Sequence, residues 1–221
     1  MFVGHTALAL AAKARTPGTS LGWLFAAAML LDLLWPPFLL MGVEHVRVEP
    51  GNTAFTNLAF DWYPWSHSLL LVLIWAALFS RFVARRAINP PARILTAALV
   101  VSHWVLDVIS HRPDMPLWPR PTPLIGLGLW NSIPATLLVE GTLFDAGLAV
   151  YLRSTRATSA TGVWALAGFV TVQVVMWASQ PWSPPPPGAG FVAWLSLGLW
   201  LFVGWAYWLD SHRAARITSG T

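Results

Sequence analysis

The sequence predicts an all-α polytopic membrane protein: a helix bundle of six full spans plus a short N-terminal partial helix, in one domain over residues 1–221. Three observations carry that expectation. Hydrophobic residues make up 56% of the chain and charged residues only 10%, against about 25% charged in an ordinary soluble domain. Mean hydropathy is +0.59, and apolar stretches of near-spanning length recur along the chain. The few charges that remain alternate between loops.

A span needs about 20 mostly apolar residues. Six segments meet this approximately: 20–43, 66–84, 92–110, 133–152, 162–179 and 190–209. The stretch 1–12 is too short to cross alone, and is expected to be re-entrant or packed against the bundle. Pro36 and Pro37 are expected to interrupt the first span, because proline lacks an amide donor and clashes with the preceding turn. Such a break is tolerated at membrane depth where it is buried in protein or lines a cavity. The half 1–145 holds the candidate site, and 162–209 holds the C-terminal spans. SPPPPG at 183–188 reads as a stiff turn.

Lys13 and Arg15 precede the first span; Arg85, Arg86 and Arg93, then Arg153 and Arg156, flank two later connections; Arg213 and Arg216 lie in the tail. The intervening loops 44–65, 111–132 and 180–189 hold only Arg47, Arg112 and Arg120, partly offset by Glu44, Glu49, Asp61 and Asp114. The excess of basic residues on cytoplasmic loops then predicts a multi-pass protein with a cytoplasmic C-terminus and those three loops outside. The net charge of +4 is spread over short loops, which fits topology control and excludes a nucleic-acid stripe. With no cysteine, disulfides and thiolate zinc sites are excluded. The apolar stretch from Phe2 to Ala12 precedes its positive charges, the reverse of a cleavable signal peptide. Among the 15 tryptophans, Trp23, Trp62, Trp65, Trp118, Trp130 and Trp182 fall near span ends, where amphipathic rings favour the membrane interface.

Against this background the ionisable residues inside apolar segments stand out. His5, Asp32, His67, His103, Asp107 and His111 all sit this way. Each costs roughly 2.5–3.5 kcal/mol at membrane depth on insertion scales, so such groups are rare and usually functional. In SHWVLDVISH the spacings of four and eight keep His103, Asp107 and His111 on one helical face. Asp32 falls near mid-membrane, His5 reaches a similar depth, and Glu140 lies about 10 Å from the outer end of the fourth span, near the level of His103. These groups are expected to converge on a pocket in the outer half of the membrane.

Imidazoles and carboxylates are the ligands of a hydrolytic metal centre, which keeps one position for water. The candidate ligands are His5, Asp32, His67, His103, Asp107 and His111, for a divalent ion: zinc first, manganese or magnesium next. Asp32 or Glu140 is the candidate base for the attacking water. Each residue also has a plainer reading. His103 and Asp107 can simply bond each other, His67 can belong to a helix cap, and His111 lies at the water boundary. Asp145 can bind a structural partner, and Gln173 is most simply an interhelical donor.

GHTALALAAK with His5, LLDLLWP with Asp32, WSHSLL with His67, SHWVLDVISHRPDMPLWP with His103 and Asp107, and GLGLWNSIPATLLVEG together resemble the YdjM-like family. Its members are bacterial inner-membrane proteins described as metal-dependent hydrolases. The resemblance covers about two-thirds of the chain, and the segment from 155 onwards carries little of it. It implies a metal-dependent hydrolase of the cell inner membrane, with His5, Asp32, His67, His103 and Asp107 at the matching positions. The chain departs from the family's usual Pro-Asp-x-Asp-type acidic cluster, having only Asp32 there.

Two functions follow. One is a membrane-embedded hydrolase acting on a phosphoester or ester of a lipid or other amphipathic substrate. The other is a non-catalytic metal-binding or transport protein using the same ligands. A transporter needs polar groups along both halves of a path, and the cytoplasmic half offers few beyond His5, Asp32 and Asp145. Neither G-x-S-x-G nor HExxH occurs, which disfavours serine-hydrolase and zincin chemistry. The partners expected are the lipid bilayer and the substrate, with no nucleic acid.

Overall fold

The computed structural model describes residues 1–84, 90–121 and 123–216. It is mostly helical. In chain order the elements are α1 (Val3–Lys13), α2 (Leu21–Ala28), α3 (Leu30–Leu40), β1 (His45–Val48), β2 (Leu58–Trp62), α4 (Pro64–His67) and α5 (Leu69–Ala84). Then come α6 (Pro90–Ser110), α7 (Ile133–Ser154), β3 (Thr155–Ala157), α8 (Ala160–Ser179), α9 (Ala189–Ser196), α10 (Leu199–Ser211) and β4 (Arg213–Ala215). The expected Arg85 and Arg86 of the charge alternation lie outside the described residues.

Among the described residues, four segments are long and apolar enough to cross a membrane: Ala92–Ser110, Ile133–Ser154, Ala160–Trp182 and Ala189–Ser211. A fifth arises if α2 and α3 count as one span, bent by 60°. Outward faces carry large apolar side chains such as Ile94, Leu138 and Leu201, 70–77% exposed, as a lipid-facing surface requires. The expected span 66–84 is divided. Pro64 opens a four-residue helix ending at His67, and Ser68 takes an extended backbone (ψ 138°) before α5 begins. Leu69–Val83 remains as a shorter apolar helix.

The break in the first span also differs from expectation. Pro36 and Pro37 sit inside α3, and the chain bends instead at Met29, whose φ −102° and ψ 8° leave the helical range. Ala28, the last residue of α2, thus presents a carbonyl that no later turn of its own helix must use. Two short antiparallel pairs qualify the all-α reading: β1 with β2 in the loop after α3, and β3 with β4 tying the start of α8 to the tail.

α1 is the partial helix expected at 1–12, and it is packed against the bundle. Nearly all its residues are buried, polar His5, Thr6 and Lys13 among them. Buried polar groups are costly unless paired, and each pairing here ties α1 to another element. Phe2 N donates to Glu140 of α7 at 2.9 Å, and Thr6 Oγ1 donates to Gln173 Oε1 of α8 at 2.6 Å. Lys13 Nζ lies 2.7 Å from Asp210 of α10 and donates to the Thr19 carbonyl at 2.8 Å. Gln173 bridges helices as expected, but as the acceptor, since its amide N–H donates to the Phe169 carbonyl within α8. Asp145 is exposed and plays no such part.

The close approach of α1 to α7 needs Gly147, because a Cβ there would overlap the Ala7 backbone carbonyl. Gly147→Ala should therefore loosen α1 and destabilise the protein by about 1–3 kcal/mol, in spite of alanine's better helix propensity. Gly204→Ala, where the added methyl meets open space, should leave the melting temperature in detergent unchanged or raised. Equal melting temperatures for the two variants would refute this packing.

Candidate metal centre

Asp32, His67, His103, Asp107 and His5 come from four different elements: α3, α4, α6 and α1, with α6 supplying both His103 and Asp107 through its four-residue spacing. The fold brings them together in two overlapping donor groups, His5–His103–Asp107 and Asp32–His67–His103, each with its ligand atoms within 4.8 Å of one another.

Hydrogen bonding fixes which ring nitrogens are available. His103 Nδ1 lies 2.7 Å from the Ala28 carbonyl at the α2–α3 bend. A carbonyl only accepts, so Nδ1 carries the hydrogen, and in the neutral ring Nε2 is a bare lone pair. That Nε2 is buried and makes no hydrogen bond, although Asp107 Oδ2 is 3.0 Å away and Asp32 Oδ1 3.7 Å. His67 is set the same way. Its Nδ1 lies 2.6 Å from Ser66 Oγ, which donates to Glu44 Oε2 at 2.7 Å, while Ser66 N donates to Glu44 Oε1 at 2.7 Å. The single hydroxyl hydrogen is committed to the carboxylate, so His67 Nδ1 donates to Ser66 and Nε2 again is bare. It faces Asp32 Oδ1 and Asp107 Oδ2, both at 3.7 Å.

A bare imidazole nitrogen facing a carboxylate oxygen is relieved either by a proton on the ring or by a metal ion between the two. The spacing suits a metal. Bonds of about 2.0–2.2 Å in a tetrahedron put neighbouring donors about 3.3–3.5 Å apart. The four cross-distances among Asp32 Oδ1, His67 Nε2, His103 Nε2 and Asp107 Oδ2 run from 3.0 to 3.7 Å. This set can hold a metal ion.

The other side of Asp107 is differently served. Its Oδ1 is 2.5 Å from the Met1 amino group and 3.1 Å from His5 Nε2. The His5 ring stacks on His103 at 3.7 Å and 3°, and its Nδ1 is buried without a partner. His5 thus joins the cluster from behind His103.

The remaining expected residues lie elsewhere. His111 is in neither donor group: its Nδ1 is 2.9 Å from Asp114 Oδ1, and its ring stands 4.5 Å from Trp130. Tyr63 donates to the same Asp114 oxygen at 3.0 Å. Burial, reinforced by that carboxylate, holds the Tyr63 phenol well above its ordinary pKa and so keeps it a donor. Glu140 is fully buried but accepts from Phe2 N and, at 3.2 Å, from Trp130 Nε1. It anchors α1 beside the site instead of joining the ligands. Trp130, expected at the interface, is drawn inward by that bond, whereas Trp65, Trp118 and Trp182 are 43–68% exposed as expected.

Asp32, His67, Asp107 and His111 share one wall of a cavity of about 510 Å³, whose other walls are mostly apolar. Comparison of the chain with protein-family models, curated proteins and solved structures returns no match, so the site is read from its own geometry.

Glu44 and Ser66 are the functional residues the sequence reading missed. Burial pushes the Glu44 carboxyl up to about 7, with the Ser66 amide and hydroxyl pulling the other way. Their role is testable through the tautomer. In Glu44→Gln the amide oxygen must face the Ser66 N–H, so its NH₂ faces Ser66 Oγ. The hydroxyl then donates to His67 Nδ1, which moves the ring hydrogen onto Nε2. Metal affinity should fall about 10–100-fold, measured by competition with a chromogenic chelator. An unchanged affinity would remove Glu44 from the site.

Proposed function

We propose that the protein is a metal-dependent hydrolase embedded in the cell inner membrane, acting on a phosphoester or ester of a lipid or similar amphiphile. The observation that carries this reading is that Asp32, His67 and Asp107 of the two donor groups line a largely apolar cavity, where a headgroup and its chain would meet different surfaces.

His103 supports one ion at a time. Both donor groups require it, and its Nδ1 is committed to Ala28. Three of the clustered residues would hold the ion, His103 with either Asp32 and His67 or His5 and Asp107, which leaves one position for water. Zinc suits this nitrogen and oxygen set. A bound divalent ion supplies a more acidic water and polarises the phosphoryl or carbonyl oxygen. The protein's residues do the rest. Asp32, whose side chain is 26% exposed where the other ligands are nearly sealed, takes the water's proton on its cavity side. His111, held by Asp114, faces the same cavity and binds the substrate's oxygens. A carrier would need polar groups along both halves of a path, and the donor groups here gather around one cavity, which favours the hydrolase.

The topology that goes with this reading has six spans. The α2–α3 pair and α5 complete the four long segments, the C-terminus is cytoplasmic, and the β1–β2 hairpin lies outside. A cytoplasm-active reporter fused after Arg216 should give signal; activity only from a periplasmic reporter there would invert the topology.

Purified protein should contain one divalent ion per chain, and His103→Ala or Asp107→Ala should lose it. Headgroup or phosphate release from phospholipids in detergent should stop on chelation and return with zinc. Stoichiometric metal without chelator-sensitive turnover on a broad panel of lipid and soluble phosphoesters would replace the hydrolase by a metal-binding protein.

A further inference from the structure

Several elements line the cavity beside the donor set. Leu58 and Phe60 of β2 cover it from the hairpin, and Phe202, only 8% exposed, forms its inner wall. One side differs. Val172 and Met176 of α8, with Leu195 and Leu201 flanking the α9–α10 junction, line the cavity and are also 38, 45, 64 and 77% exposed on the outside of the bundle. That wall is one side chain thick, and it belongs to two segments of membrane-spanning length.

Where α9 passes into α10 the helix tightens for one turn. Leu197 and Gly198 keep helical dihedrals, while Gly198 N donates to the Leu195 carbonyl and Leu201 N to the Gly198 carbonyl. Short 3₁₀ stretches inside a helix often mark hinges, and Ser196 and Gly198 both border the cavity.

We propose that this side is a lateral portal. Through it one hydrocarbon chain of a phosphoester lipid slides from the bilayer into the cavity, between α8 and the α9–α10 junction. Its phosphate would then face the cation that Asp32, His67 and Asp107 are placed to hold. The class of ligand follows from the walls: metal-holding side chains at one end, and Phe60, Phe202 and Trp205 among the mostly apolar remainder. The volume of about 510 Å³ is of the size that encloses a small ligand, so it takes one chain and leaves any second chain in the bilayer. This inference rests on the hydrolase reading for the headgroup, and on the cavity alone for the chain.

The test is photolabelling of the full-length protein in phosphatidylcholine vesicles containing phosphatidic acid with a diazirine on one acyl chain. Adducts are expected at Phe202 and Leu58 inside as well as at Ile94 and Leu138 on the open surface. The double substitution Met176→Trp with Leu201→Trp should abolish the inner adducts and leave both the surface adducts and the metal content unchanged. Because the chain has no cysteine, Ser196→Cys coupled to a bulky apolar maleimide gives a second block if the double variant misfolds. Adducts confined to the surface in the unaltered protein, or inner adducts that survive both blocks, would overturn the portal. His103→Ala separates the two readings. Loss of metal with inner labelling retained upholds both the metal centre and the portal. A metal-free parent protein that still labels inside removes the metal centre and keeps the portal.

Discussion

The bond from His103 Nδ1 to the Ala28 carbonyl is the interaction on which the site depends. It joins the middle of α6 to the end of α2, fixes the ring's tautomer, and turns Nε2 towards Asp32 and Asp107. A carbonyl inside a continuous helix would normally serve its own ladder. The bend at Met29 therefore does two things at once: it frees the acceptor that orients His103, and it swings Asp32 on α3 to the other side of the ion's position. Straightening this segment would cost the cluster both its orientation and a ligand.

Some of this was legible in the sequence because it depends on local spacing. His103 and Asp107 four apart on an apolar helix had to share a face, and a buried charge pair at that depth needed partners. Hydropathy likewise marked α6, α7, α8 and the α9–α10 segment. What was not legible depended on contacts between distant segments. Around Met29 the chain reads LFAAAMLLDL, all good helix formers, while Pro36-Pro37 a turn and more away was the visible disruption. Tertiary contacts won: α3 carries its prolines, and the bend falls where the His103 bond and the packing of α3 onto α9 need it. Glu44 was hidden for a similar reason. In a loop that also holds Arg47, Glu49 and Asp61 it looked like one more surface charge. Only the hairpin and the short helix α4 carry Ser66 to it, and an unremarkable Ser-His pair was the one signal available. His111 was misread because helical periodicity gives a direction and not a partner; Asp114, three residues on, claims its ring.

The two second-layer bonds differ in kind, and the difference matters for the metal. A backbone carbonyl cannot change its role, so His103 has one available tautomer. The Glu44–Ser66–His67 chain is built from groups that can reverse, since the hydroxyl donates to whichever neighbour lacks a hydrogen. His67 is therefore the adjustable ligand and His103 the fixed one. The adjustable arm runs from His67 through Ser66 to Glu44, just before the β1–β2 hairpin, and not into the long helices.

The placement of α1 ties it to the assembled bundle. Eleven residues rise only about 17 Å, little more than half the hydrocarbon thickness of about 30 Å. His5, Thr6 and Lys13 each find their partners on α6, α8 and α10 and none within α1 itself. Alone in lipid those groups would leave their polar atoms unsatisfied, which no short helix tolerates. Their partners come from segments that end as late as residue 211. α1 therefore finds its polar partners only in the assembled bundle, where it joins the cluster from behind His103. The donor set and its cavity are properties of the finished bundle, which keeps a costly group of buried carboxylates and imidazoles from forming before there is a fold to hold it.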